Sequence, residues 1–106
     1  MKRLAMSLMM GAMLSGTVSI ALADNEVNER QRNQQKRIGE GVKNGSLTSG
    51  ETAHLEKQES AIHGEVKQDR KANGGTLTAQ ERAQVNRQQN RESRRIYRDK
   101  HNGKTQ

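Results

Sequence analysis

The chain has 106 residues, a net charge of +7, no cysteine, no proline and a single aromatic side chain, with a mean hydropathy of −1.12. That length allows one small domain at most, and the lack of cysteine excludes a disulfide framework, a thiolate metal site and a thiol nucleophile. So little apolar material cannot wall off water from a deep pocket, so the composition points away from an enzyme.

The amino terminus has the three parts of a secretory signal peptide. Lys2 and Arg3 form a basic start, residues 4–22 carry no charge, and Ala21-Leu22-Ala23 places small residues where a signal peptidase reads them. We expect cleavage after Ala23, with an uncleaved membrane anchor as the competing reading, since about 20 uncharged residues can just span a bilayer. Without cysteine no lipid-anchored lipoprotein can form. The expected mature chain, residues 24–106, keeps all 12 acids, loses Lys2 and Arg3 from the 19 cations, and is left at +5. It is expected to be periplasmic or secreted in a bacterium.

Beyond the signal there are ten Leu, Ile and Val residues, about 12% of the mature chain. That is below the roughly 20% at which a highly charged chain is suspected of disorder. The chain is nonetheless rich in Gln, Arg, Lys, Glu and Ala, all good helix formers. It also repeats itself: Leu47, Thr48, Glu51, Leu55 and Val66 fall on Leu77, Thr78, Glu81, Val85 and Ile96 at a shift of 30. In each unit an aliphatic pair stands 11 residues apart, close to three helical turns: Val27 and Ile38, Leu55 and Val66, Val85 and Ile96. Gln31, Gln34, Glu59, Gln89 and Glu92 fill the stripes between them, with Ile62 strengthening the second. The pattern predicts an all-α fold of three helices near 25–42, 49–71 and 79–100, in an up-down-up or elongated hairpin arrangement. Residues 101–106 are expected to be a flexible tail. The core is marginal, and a homodimer or a partner would add burial that the monomer lacks.

Two loops, Asn44-Gly-Ser-Leu-Thr-Ser-Gly-Glu51 and Asn73-Gly-Gly-Thr-Leu-Thr-Ala-Gln-Glu81, separate the three predicted helices. Each Asn-Gly tolerates the left-handed backbone that ends a helix. Thr48 and Thr78 then suit the N-cap, with Glu51 and Glu81 three residues on to complete a capping box. The competing reading is a calcium loop. Residues 40–51 fit an EF-hand register with Glu40 first, Asn44 fifth and Glu51 twelfth, and Asp69, Asn73 and Glu81 are the corresponding set in the second copy. Val42 offers no oxygen at the third position, Lys71 is a cation there, and Gly75 is an insertion. Any such site would be degenerate and would bind calcium weakly; no other cofactor is expected.

The third predicted helix places Arg87, Arg91, Arg94, Arg95 and Arg98 on one side, away from Val85, Gln89, Glu92 and Ile96. Arginine forks suit phosphate and carboxylate. The export signal and the lack of stacking aromatics point away from nucleic acid and toward anionic envelope surfaces or acidic protein segments. The competing reading is a solvated face that keeps the chain soluble. His54, His63 and His101 lack the spacing of a helical zinc pair and are expected at the surface.

The pattern Leu-Thr-x-x-Glu, occurring twice and followed in the second case by the Gln- and Arg-rich run LTAQERAQVNRQQNRESRRI, resembles the LTxxQ-motif periplasmic stress proteins, whose members include CpxP and Spy. Both copies depart from that motif by carrying Glu where it has Gln. The resemblance covers some 20 to 25 residues of one unit. It implies a helical, cradle-like dimer that binds unfolded envelope proteins or senses envelope stress. Three functions are thus in view: a chaperone-like exported binding protein, a degenerate calcium-binding helix-loop-helix protein, and a disordered basic polypeptide that folds on an anionic partner.

Overall fold

The computed structural model describes residues 17–104, with side chains from Asp24 onward. Three helices follow in chain order: α1 (Thr17–Lys43), α2 (Ser49–Ala72) and α3 (Ala79–Lys100). They run up, down and up in a body of 53 × 24 × 16 Å, and no strand occurs among the described residues. The boundaries of α3 are those expected, and α2 ends one residue later than expected. The exception is α1, which begins eight residues before the expected position 25. Nothing between 17 and 38 stops a helix, since that stretch holds neither glycine nor proline. The expected cleavage point after Ala23 therefore lies inside α1, while residues 1–16 of the predicted signal peptide lie outside the described residues.

Local chemistry sets the turns. Thr48 Oγ1 accepts the Glu51 N–H at 3.1 Å and the Thr48 N–H donates back to Glu51 Oε1 at 2.9 Å. The second copy repeats this at Thr78 and Glu81, with distances of 3.1 and 3.0 Å. Both are complete capping boxes. Gly45 (φ 78°) and Gly74 (φ 76°) supply the left-handed turn after each helix. A third Asn-Gly, Asn102-Gly103, follows α3 at the same 29-residue interval and turns the same way, with Gly103 at φ 81°. Its Asn102 side chain donates to Glu51 Oε2 at 2.7 Å. His101 caps α3 through its N–H on the Arg98 carbonyl and stacks on the Tyr97 ring at 3.9 Å. Residues 101–104 are thus tied to the body rather than forming a loose tail.

The inward stripe has one spacing on all three helices, four, three and four residues: Val27, Gln31, Gln34, Ile38; Leu55, Glu59, Ile62, Val66; Val85, Gln89, Glu92, Ile96. Antiparallel packing brings the stripe ends together as two separate apolar clusters. One holds Val27, Ile62, Val66, Leu77 and Val85; the other holds Ile38, Leu47, Leu55 and Ile96. The two loop leucines close the clusters, Leu47 at one end and Leu77 at the other. Val42, the tenth aliphatic, is 40% exposed, and Tyr97 faces solvent. At the Leu77 end, the carboxylate of the buried Asp24 accepts from Arg70 Nε at 3.0 Å and from the Leu77 N–H at 3.3 Å. Arg70 also donates to the Asp24 carbonyl and to Asn28 Oδ1. One guanidinium thus ties Asp24 and Asn28 on α1 to the end of α2.

Gly41 is buried on α1 because Leu47 folds back over it. A Cβ at this position would stand 2.6 Å from Leu47 Cδ1 and 2.7 Å from Leu47 Cγ. The helical glycines Gly39 and Gly64 have no such neighbour within 4 Å. Gly39→Ala and Gly64→Ala should each stabilise the fold by about 0.5–1 kcal/mol, as expected for removing glycine from a helix interior. Gly41→Ala should instead destabilise it by about 1–3 kcal/mol through overpacking. Urea unfolding of the three variants checks this inversion of sign.

Candidate functional site

Two polar features stand out from the scaffold. The first lies inside it. Between the two apolar clusters sit Gln34, Glu59, Gln89 and Glu92, all buried, with Glu59 only 4% and Glu92 0% exposed. Gln34 Nε2 donates to the Gln89 carbonyl at 2.8 Å, and Gln89 Nε2 donates to the Val27 carbonyl at 3.1 Å. The amide of Gln58 serves two neighbours at once. Its nitrogen donates to both Glu92 oxygens, at 2.8 and 3.1 Å, while its oxygen accepts from His54 Nε2 at 3.0 Å. Arg95 adds an ion pair to Glu92 at 3.3 Å.

Glu59 is placed differently. Its Oε2 has no hydrogen-bond partner in the protein, nor do Gln31 Nε2, Gln34 Oε1, Gln88 Oε1 and Gln89 Oε1. Burial, the charge of Glu92 and that of Glu56 push the Glu59 carboxyl up from its ordinary 4.5 to about 7, with Arg37 opposing them. The Arg37 guanidinium is bonded to α3, donating to the Ser93 hydroxyl at 2.7 Å and the Ser93 carbonyl at 3.0 Å. Glu92 is also raised by burial, with Arg95 and His54 opposing the shift. Glu51 moves the other way, lowered chiefly by the Thr48 N–H and by Asn102.

The second feature is outside. The arginines differ in what they touch, with Arg32 exposed on α1. Arg30, Arg37, Arg70 and Arg82 reach across elements or onto loop carbonyls: Arg30 bonds Asn86 and Asn90, and Arg82 donates to the Leu77 carbonyl at 2.8 Å. Arg87, Arg91 and Arg94 are exposed on α3 and bond no other described residue. Arg98 continues their line at 71% exposure, with a loose 3.8 Å contact to Asp99. Arg95, expected in the same stripe, is half-buried and turned to Glu92, because its position on the helix lies at the edge of the arginine side. No carboxylate of α3 is exposed: Glu92 is buried, and Glu81 and Asp99 are half-buried.

The candidate calcium ligands fall otherwise. Both Glu51 oxygens already accept hydrogen bonds, from Thr48 and Asn102. The Asn73 amide donates to the Asp69 carbonyl at 2.8 Å and to Glu81 Oε1 at 2.7 Å. Asn44 Oδ1 accepts the Ser46 N–H within its own turn, and Glu40 is exposed on α1. The two loops lie at opposite ends of the 24-residue α2, about 36 Å apart. No group of three or more His, Asp or Glu side chains is gathered as metal ligands among the described residues. His54, His63 and His101 are exposed and separate.

Sequence reasoning placed Gln31, Gln34, Glu59, Gln89 and Glu92 in the stripe but did not single out the two carboxylates as a buried pair. The signal was their position at the centre of the 4-3-4 spacing on facing antiparallel helices. Compared with known proteins, the chain matches no family model, no curated protein and no solved structure. What the structure defines is a class: a small all-α protein of three helices, the second and third opened by capping boxes, with a divided core.

Removing the donor that serves Glu92 tests the inner layer. Gln58→Leu should destabilise the fold by about 1–3 kcal/mol, the cost of a buried acceptor losing its donor. Urea unfolding at neutral pH reads it.

Proposed function

We propose that this chain is a small exported binding protein that holds unfolded polypeptide, in the manner that its resemblance to the LTxxQ envelope-stress proteins implies. The observation that carries this reading is the outer line of α3. Arg87, Arg91, Arg94 and Arg98 face solvent over about 16 Å of helix, with no exposed acid on that helix to neutralise them. Arg30, Arg37 and Arg70 bond across elements and Arg82 bonds a loop carbonyl, whereas the exposed four make no bond to another helix or loop. Planar guanidinium groups on a rigid helix can grip carboxylates on an extended chain without demanding one sequence. Gln80, Gln84 and Asn90 around them add uncharged donors and acceptors. The export half of the proposal rests on the basic, uncharged and Ala21-Leu22-Ala23 segments; no described helix is long and apolar enough to cross a membrane.

The test is aggregation of an acidic client, reduced α-lactalbumin, followed by light scattering with increasing amounts of the protein. Suppression is expected at low molar excess and should weaken as salt is raised past the screening range. The triple variant Arg87→Gln, Arg91→Gln, Arg94→Gln should keep its helicity and hold the client about tenfold less well, each exposed charge contact contributing a few tenths to 1 kcal/mol. No suppression at large excess, or full activity in the triple variant, would sink the reading.

A further inference from the structure

Of the three seams between helices, the one between α1 and α2 is the least cemented. Packing is closest between α1 and α3 and sparsest between α1 and α2. The α1–α3 seam carries buried bonds from Gln34 and Gln89 and the forks of Arg30 and Arg37. Midway along α1 and α2 the only described cross-bonds are exposed ones, from Gln35 to Glu56 at 2.7 Å and between His63 and Gln31 at 3.2 Å. Between these helices runs a groove of about 610 Å³, with Gln31, Arg32, Glu59, Ser60 and His63 among its lining residues. Glu59 and Gln31, each holding a buried atom without a protein partner, meet at this same seam.

We propose that Glu59 is a proton-operated latch on the α1–α2 seam: as a neutral carboxyl it lies in the closed bundle, and on losing its proton it draws the middle of α2 away from α1 toward water. The charged and titratable groups facing it are few. Arg37 comes from α1, Glu92 from α3 and Glu56 from α2 itself, with Arg32 and His63 at the groove rim. Glu92 and Glu56 repel a second negative charge. Arg37, the cation whose charge opposes the shift, is fixed to Ser93 on α3 and makes no ion pair with Glu59. An ionised Glu59 would then be a buried carboxylate with one oxygen unpartnered, which is costly enough to open local structure. The Arg70 clamp to Asp24 holds one end of the seam and the 44–48 loop joins the other, so opening is confined to the middle. This device is independent of what the chain binds.

The direction follows from linkage. A carboxyl raised from 4.5 to about 7 binds its proton more tightly in the folded chain, so its stabilisation is full below 4.5 and is lost as pH rises through 7. Between pH 5.5 and 8.0 the unfolding constant of the full chain in urea should rise about 30-fold from this group. Glu59→Gln should flatten that rise and leave the protein more stable at pH 8.0. The chain has no cysteine, so nitroxide pairs can be introduced cleanly. With Arg32→Cys and Ser60→Cys across the groove, the distance distribution should broaden from pH 5.5 to 8.0. With Asn33→Cys and Asn86→Cys across the α1–α3 seam it should not. Stability that is flat or rises over this range, an unchanged pH dependence in Glu59→Gln, or equal broadening at both seams would overturn the latch.

Discussion

The core of this protein is divided across its middle. Nine buried aliphatic side chains form two clusters rather than one, and between them the helices meet through glutamine and glutamate. Buried polar groups cost free energy unless every atom is paired. Here Glu92 is paired and Glu59 is not. The ends of the bundle therefore carry its cohesion. This explains why the turns are built so completely: two capping boxes, four glycines at positive φ, two leucines folded into the clusters and an arginine clamp all lie at the ends.

Much of this was legible in the sequence, for identifiable reasons. The Leu-Thr-x-x-Glu repeats state both halves of a capping box locally, so the starts of α2 and α3 needed no tertiary information. The 11-residue aliphatic pairs marked the inward faces, and the short connections pointed to antiparallel neighbours, with up-down-up and an elongated hairpin both expected. The start of α1 was not legible, because residues 17–38 hold neither glycine nor proline and nothing in that stretch marks where a helix begins. Gly41 could not be recognised as a close-approach position, since only the fold brings Leu47 over it. Arg95 looked equivalent to Arg91 and Arg94, yet a turn of the helix sends it toward a buried carboxylate. Asp24 and Arg70 are 46 residues apart, and nothing local links them.

The inner layer and the outer arginine line belong together physically. With so few apolar residues, the chain has little to offer a client by hydrophobic burial in the closed state. Its freely presented chemistry is charge on α3, and what lies behind the middle of the weakest seam is the polar layer. A binding protein with these properties would engage clients by electrostatics first. Glutamate at the end of both Leu-Thr-x-x-Glu copies fits the capping geometry, since Glu51 and Glu81 each accept the N–H of their N-cap threonine.

The state of Glu59 is the point on which this account turns. Carbon-detected NMR titration of its side-chain carboxyl, assigned by comparison with Glu59→Gln, measures that state directly. The account predicts a midpoint near 7. A midpoint at or below 4.5 would contradict it, because Glu59 would then be charged in the closed bundle without cost.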